Sequence, residues 1–209
     1  MFGKVERKEA EFVDTGRFMV TGHGTMFRST EHSLEEYAPG LMERVPLARL
    51  LGDSDLWLRL PMDLSLWILP FGLVQGGPWL GATAMVSVFI ATAVLSPSGV
   101  SLHALPVVRI LDSVLIQAIY FIAMLSFLAQ SGRFAELWVG VGGFVVLRWS
   151  LLSRLTSPIV ERAARRLYGM AVPDQVLRAV IIKYALRFGI SPSAVRDIEN
   201  DVRSITGGK

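Results

Sequence analysis

Apolar and polar positions divide this chain into three stretches with different periods. In EFVDTGRFMVTGHGTMFRS, residues 11–29, short apolar runs alternate with Thr15-Gly16 and Gly22-His23-Gly24, which predicts a small hairpin of two or three short strands. SLEEYAPGLMERVPLARLLG, residues 33–52, reads as helix, with Ser33 and Glu36 spaced as a capping box. Four apolar segments follow, at about 62–75, 78–96, 106–130 and 134–153. Beyond them, Ser157-Pro158 predicts the start of a helix and Gly169 its stop, with Glu161 in the first turn and Arg165 and Arg166 in the last. Pro173 opens a second helix that runs to Gly189, and Ser191-Pro192 opens a third that runs to about Ile205.

Charge gives the apolar segments their meaning. Between Leu64 and Leu147 the only charged residues are Arg109, Asp112, Arg133 and Glu136; the other thirty-five lie in the first 63 and last 62 positions. A helix facing water needs a polar side, and hydrocarbon removes that need. At 1.5 Å per residue the second and third segments are long enough to span a hydrocarbon core about 30 Å thick, whereas the first reaches only about 21 Å. The first also contains Pro70 and Gly72. The predicted fold class is therefore an all-α integral membrane protein. Residues 62–154 form a small transmembrane helical bundle of three spans plus a short or re-entrant helix. A small mixed amino-terminal segment (1–61) precedes it, and a basic helical module (155–209) follows.

The stretch WILPFGLVQGGPWLGATAMVSVFIATAVLS, residues 67–96, is free of charge and is interrupted by Gly76-Gly77-Pro78. One helix over 62–96 would exceed the bilayer by about fifteen residues. A turn at the glycines instead leaves Arg44, Arg49 and Arg59 on the same side as Arg154, Arg162, Arg165 and Arg166, with Arg133 alone in an outer loop. The positive-inside bias favours this hairpin. It predicts a multi-pass protein of the cell (inner) membrane with both termini cytoplasmic. The charged amino terminus lacks an apolar h-region, so no cleavable signal is expected.

Composition excludes some chemistry. The chain has no cysteine, which rules out disulfides and thiolate metal sites. Its formal charge of +3 conceals an asymmetry: residues 1–63 carry eight basic and eleven acidic groups, residues 148–209 eleven and five.

Within the membrane segments one polar stripe stands out. Arg109, Asp112, Ser113, Gln117 and Tyr120 share a broad sector of a helix over 106–130, which argues for a path, a polar pocket or an internal salt bridge gluing helices together. Small residues form a second pattern: Gly77, Gly81, Ala84, Ser87 and Ala91 on the second segment, with Gly140, Gly142 and Gly143 on the fourth, allow close helix packing. Arg154, Arg162, Arg165, Arg166, Lys183 and Arg187 are the basic candidates for contact with a partner or with anionic lipid.

Other candidates are thin. His23, His32 and His103 have no metal-ligand spacing. Asp53 and Asp55, two apart in an expected loop, read as capping or solvated carboxylates before a cation site. No phosphate-cradling loop, catalytic relay or cofactor motif is found, so neither metal, cofactor nor catalytic residue is expected. IIKYALRFGISPSAVRDIEND resembles the core pattern of a helix-turn-helix, with Ala185, Gly189, Ile190, Val195 and Ile198 at its small, turning and apolar positions. The resemblance implies a compact two-helix crossing. Asp197, Glu199 and Asp201 set against Arg196 and Arg203 argue for a protein partner over nucleic acid.

The function expected from these residues is a membrane accessory, scaffold or assembly subunit. It would pack against other membrane proteins, or itself, and dock a cytoplasmic partner through its last helices. A small transporter or channel component built on the polar stripe is the alternative, and a membrane-tethered DNA-binding regulator a third.

Overall fold

A computed structural model describes residues 12–14, 18–22 and 24–192. Secondary structure is mostly helical, with a three-stranded sheet near the amino terminus. The chain divides into two compact units. Described residues up to 55, 100–102 and 173–192 fall in the first, and 56–99 and 103–172 in the second.

The first unit opens with an antiparallel sheet in the order β1 (Phe12–Asp14), β2 (Met19–Thr21), β3 (Met26–Phe27). Its registers pair Val13 with Val20 and Met19 with Phe27. Met19 and Phe27 are fully buried. Helix α1 (Glu31–Tyr37) follows and is shorter than the sequence pattern predicts. Thr30, not Ser33, is its N-cap: the Thr30 side chain accepts from Ser33 N, and Ser33 Oγ accepts from Thr30 N at 2.9 Å. Pro39 and Gly40, the latter at φ 74°, stop the helix, and the chain becomes helical again only at Leu47. Helix α7 (Val172–Arg187) adds a buried ridge of Val176, Leu177, Val180, Ile181, Tyr184 and Ala185.

Side chains distant in sequence hold this unit together. Arg28 N donates to Asp174 Oδ1 at 2.7 Å, in the first turn of α7, where a carboxylate also suits the helix dipole. Tyr184 Oη donates to Asp53 Oδ2 at 2.6 Å, and Thr25 Oγ1 donates to Asp55. Asp53 and Asp55 are therefore buried, bonded helix residues and not the solvated loop carboxylates that the sequence suggests. Arg49 and Arg178 lie over the rings of Tyr184 and Tyr37.

The second unit is built on α2 (Leu47–Leu95), whose helical path breaks at Gly77. Gly77 has φ 78° and ψ −170°, a region essentially reserved for glycine. A Cβ built on Gly72 would lie 2.9 Å from Gly81 Cα, although nine residues of straight helix span about 13 Å. The chain therefore reverses at Gly77, and the two arms, 47–76 and 78–95, pack as a hairpin. Gly143 makes the same point: a Cβ there would meet Leu69 at 2.5 Å and Met85 at 3.4 Å, residues that belong to opposite arms.

Three further helical pieces complete the unit. Residues 106–130 are not one helix but α3 (Leu105–Leu111) and α4 (Val114–Gln130), bent by 51°. Helix α5 (Phe134–Arg148) and α6 (Leu151–Tyr168) are bent by 64° at Trp149-Ser150. Helix α6 begins before Pro158, which sits inside it, and ends at Gly169 as predicted. The core joins Leu66, Leu69 and Leu73 with Met85, Phe89, Phe121, Leu128, Leu147 and Leu152.

By length and composition, α2 is one helix long and apolar enough to cross a membrane. The count rises to as many as three if each bent pair forms one span. Folded at Gly77, the second arm of α2 is about 27 Å long by itself.

Candidate functional site

Arg59, Asp63 and Trp67 are spaced four apart, so they form one ridge of the first arm of α2. That ridge meets the corner between α3 and α4. The bend takes the Leu111 carbonyl out of regular helix bonding, and it accepts instead from Gln117 Nε2 at 2.6 Å and Trp67 Nε1 at 3.2 Å. Gln117 Nε2 also donates to Asp63 Oδ1 at 2.8 Å. Arg59 Nη1 pairs with Asp112 Oδ1 at 2.9 Å. Tyr120 stacks on Trp67 with ring centroids 4.5 Å apart, and its hydroxyl donates to the Trp67 carbonyl at 3.1 Å.

The result is a polar knot of two carboxyls, one guanidinium and one amide, closed on one side by two stacked rings; Asp63 and Gln117 are buried in it, and Arg59 and Asp112 are partly exposed. Asp63 is 1% exposed. Its Oδ1 is bonded, but its buried Oδ2 receives no hydrogen bond. The Asp112 carboxyl is within hydrogen-bonding reach of Asp63, yet two carboxylates offer each other only acceptors. Desolvating an ion costs several kcal/mol, about the scale that the Arg59 charge and the Gln117 amide must offset.

The predicted stripe is thus partly assembled. Asp112, Gln117 and Tyr120 converge, Ser113 caps α4 by its backbone position, and Arg109 is exposed on α3. Sequence reasoning missed Asp63 and used Arg59 only as one of the arginines that set the sidedness of the segments. The available signal was the four-residue spacing of Arg59, Asp63 and Trp67 where α2 turns apolar.

A second polar cluster lies at the hairpin turn. Arg133 Nη1 and Nη2 donate to the carbonyls of Val74 and Leu73, each at 2.8 Å, and Arg133 pairs with Glu136 at 2.9 Å. These carbonyls belong to the last turn of the first arm, where no further helix can satisfy them. A cation is also favoured there by the helix dipole.

The predicted small face has two fates. Gly77 makes the turn and Gly81 packs on Gly72 and Leu73, while Gly140 and Gly143 receive Leu73 and Leu69. Ala84 is half-buried, and Ser87, Ala91 and Gly142 are exposed. Arg154, Arg162, Arg165 and Arg166 on α6 and Lys183 and Arg187 on α7 are all exposed.

The chain matches no protein-family model, no curated protein and no solved structure.

His32 and His103 are exposed, and His23 lies outside the described residues. Among the described residues no group of three or more His, Asp or Glu is placed to hold a metal ion. Of the helix-turn-helix pattern, Ala185 is buried and Gly189 turns the chain at φ 68°. Ile190 N donates to the Ala185 carbonyl at 2.9 Å, the bond of a Schellman cap. Val195, Ile198 and the rest of that pattern lie outside the described residues.

Proposed function

We propose that this chain is a multi-pass membrane protein with both ends in the cytoplasm, acting as an assembly subunit for other membrane proteins. One observation carries the reading. A four-segment topology would place three stretches in the cytoplasm: the amino-terminal region, the loop after the second arm, and the carboxy-terminal region. Described residues up to 55, 100–102 and 173–192, which lie within those three stretches, make up the first unit, while α6 falls in the second. The two turns it would place outside, at Gly77 and Arg133, meet each other through Arg133 and the carbonyls of Leu73 and Val74.

The outer surface supports the same reading. Helix α4 is inverted relative to a helix in water: Gln117 faces inward and bonded, while Leu115, Ile119 and Ile122 are between 60% and 70% exposed. Lipid accepts such a face without cost. Helix association within lipid then rests on close packing, for which the exposed four-residue series Thr83, Ser87 and Ala91 on the second arm is suited. The basic outer side of α7, with Lys183 and Arg187, is the docking face for the cytoplasmic partner.

The test uses the absence of native thiols. Single cysteines replacing Leu102 and Arg187 should be protected from an impermeant reagent in intact cells, and those replacing Gln75 and Ser131 should react. Gln75 is chosen over the neighbouring Gly77 because Gly77 is fixed in its turn conformation. A photo-crosslinker at Ser87 should give discrete protein adducts in native membranes, and one at Ile122 should not. Opposite sidedness of Leu102 and Arg187 would end the topology, and absence of Ser87 adducts would end the assembly role.

A second reading, a small transporter or channel component, is favoured by the buried and unbonded Asp63 Oδ2 beside Asp112. Ionisable groups inside a membrane are functional by default. In proteoliposomes, Asp63→Asn should alter proton or cation flux on this reading and leave it unchanged on the first.

A further inference from the structure

We infer that α6 is an interfacial helix that recognises a bilayer surface carrying anionic phospholipid. The inference rests on the membrane reading above and adds a partner to it. Three parallel ridges at four-residue spacing define the helix. Leu152, Thr156 and Ala164 are buried; Leu152 belongs to the core, and Val160 packs against it. Farther along the same ridge, Tyr168 Oη donates to the Val94 carbonyl at 3.1 Å. The next ridge, Leu151, Leu155, Ile159 and Leu167, is uncovered, and Leu155 is 73% exposed. The third carries Arg154, Arg162 and Arg166, all exposed, with no acidic residue among them. Glu161 lies on the fourth side, with Arg165 at 3.7 Å and Ser157.

Neither water nor hydrocarbon suits this arrangement. Five charged side chains in eighteen residues oppose a span through lipid, and a ridge with four exposed large aliphatic residues opposes an exposed helix in water. The boundary between the two suits both ridges: an interfacial helix sinks its apolar face roughly 5–10 Å into the headgroup region. The arginines then stand at the level of the phosphates, to which guanidinium forks donate paired hydrogen bonds. Arg154 and Arg166 are about 18 Å apart along the helix, so the ridge addresses separate lipids.

The chain is bent into this position. After α5 it turns by 64° at Trp149-Ser150, and Ser150 adopts φ 56°. Ser150 is the one non-glycine residue with positive φ among the described residues, a conformation uncommon outside glycine. Trp149, at the corner, is exposed, where an amphipathic indole suits the headgroup layer.

The experiment uses the full chain with Leu155→Cys carrying an environment-sensitive fluorophore. It is reconstituted in vesicles of phosphatidylcholine alone or mixed with phosphatidylglycerol. The expected result is a blue-shifted label, quenched by brominated chains, with phosphatidylglycerol present. A label at Ser153→Cys should stay in water. Each of Arg154→Gln, Arg162→Gln and Arg166→Gln should lower the preference for the acidic vesicles about fivefold. A water-exposed Leu155 label in acidic vesicles, equal burial in both lipids, or disulfide linkage of Leu155→Cys between two copies would each overturn the inference. Retention of the chain through an alkaline carbonate wash separates these results from failure of the membrane reading. Release in that wash would overturn both.

Discussion

Tyr184 donates its hydroxyl proton to Asp53 Oδ2 at 2.6 Å, joining side chains 131 positions apart on α7 and α2. Burial pushes the Tyr184 phenol above its ordinary value of 10.0, and the bond to Asp53 and its charge push further in the same direction. A phenol with a raised folded value stabilises the fold fully below pH 10, and that contribution is lost as pH rises through the folded value. Tyr184→Phe should cost about 1.5–3 kcal/mol at neutral pH, the range for a hydrogen bond to a charged group. It should also flatten the fall in stability above pH 10. Denaturant titrations of both proteins at neutral and alkaline pH check this, and an equally steep alkaline fall in the variant would refute it.

At the turn of α2, Gly77 holds φ 78° and ψ −170°. Gly77→Ala should cost about 1–3 kcal/mol, because side chains are excluded from that backbone region. Gly142→Ala is the control, since a Cβ there meets nothing within 4 Å. Thermal unfolding in mild detergent compares them; equal midpoints would remove the strain argument.

Close approach of the two arms predicts a larger effect. Gly72→Val inserts atoms against the Gly81 backbone, 2.9 Å from the added Cβ. Overpacking of this kind costs about 1–3 kcal/mol before the arms separate. The readout is disulfide formation between cysteines replacing Leu69 and Met85, which pack on the same glycine in the native hairpin. It should be efficient in the parent and slow in the variant.

Gln117→Leu removes the amide donor to Asp63 Oδ1 and one donor to the Leu111 carbonyl. Stranding a buried acceptor costs about 1–3 kcal/mol. Asp63→Asn combined with Gln117→Leu should cost less than the sum of the single changes, since the two residues share one bond. Additive costs measured by denaturation in detergent would show that the contact has no coupling energy.

Arg133→Ala should destabilise the fold, and Arg133→Lys should restore little. The planar fork of arginine reaches two carbonyls and Glu136 at once, and a single ammonium does not reproduce that geometry. Full rescue by lysine, read as the thermal midpoint, would reduce the role to charge alone.

Legibility differed along the chain for physical reasons. The turn at Gly77 was readable because glycine beside proline inside thirty uncharged residues has few other uses. The small hairpin sheet and the Gly169 and Gly189 helix ends were readable for the same local reason. The corner at Asp112-Ser113 was not, because nothing in VVRILDSVLIQ breaks a helix. There the long-range bonds of the Leu111 carbonyl with Trp67 and Gln117 accompany the bend. Asp63 was missed because its partners lie 49 and 54 positions away, and the Tyr184–Asp53 pair because periodicity says nothing about contact across 131 residues.

The turn at Gly77 sets the phase of everything after it. One residue inserted between Gly77 and Gly81 would rotate the second arm by about 100°. Met85 and Phe89 would swing off the inner seam, and polar Thr83 and Ser87 would be carried round from their outward positions. Homologous chains should therefore vary freely in length at Gly132, an open bend, while tolerating no gain or loss of a single position across 72–81.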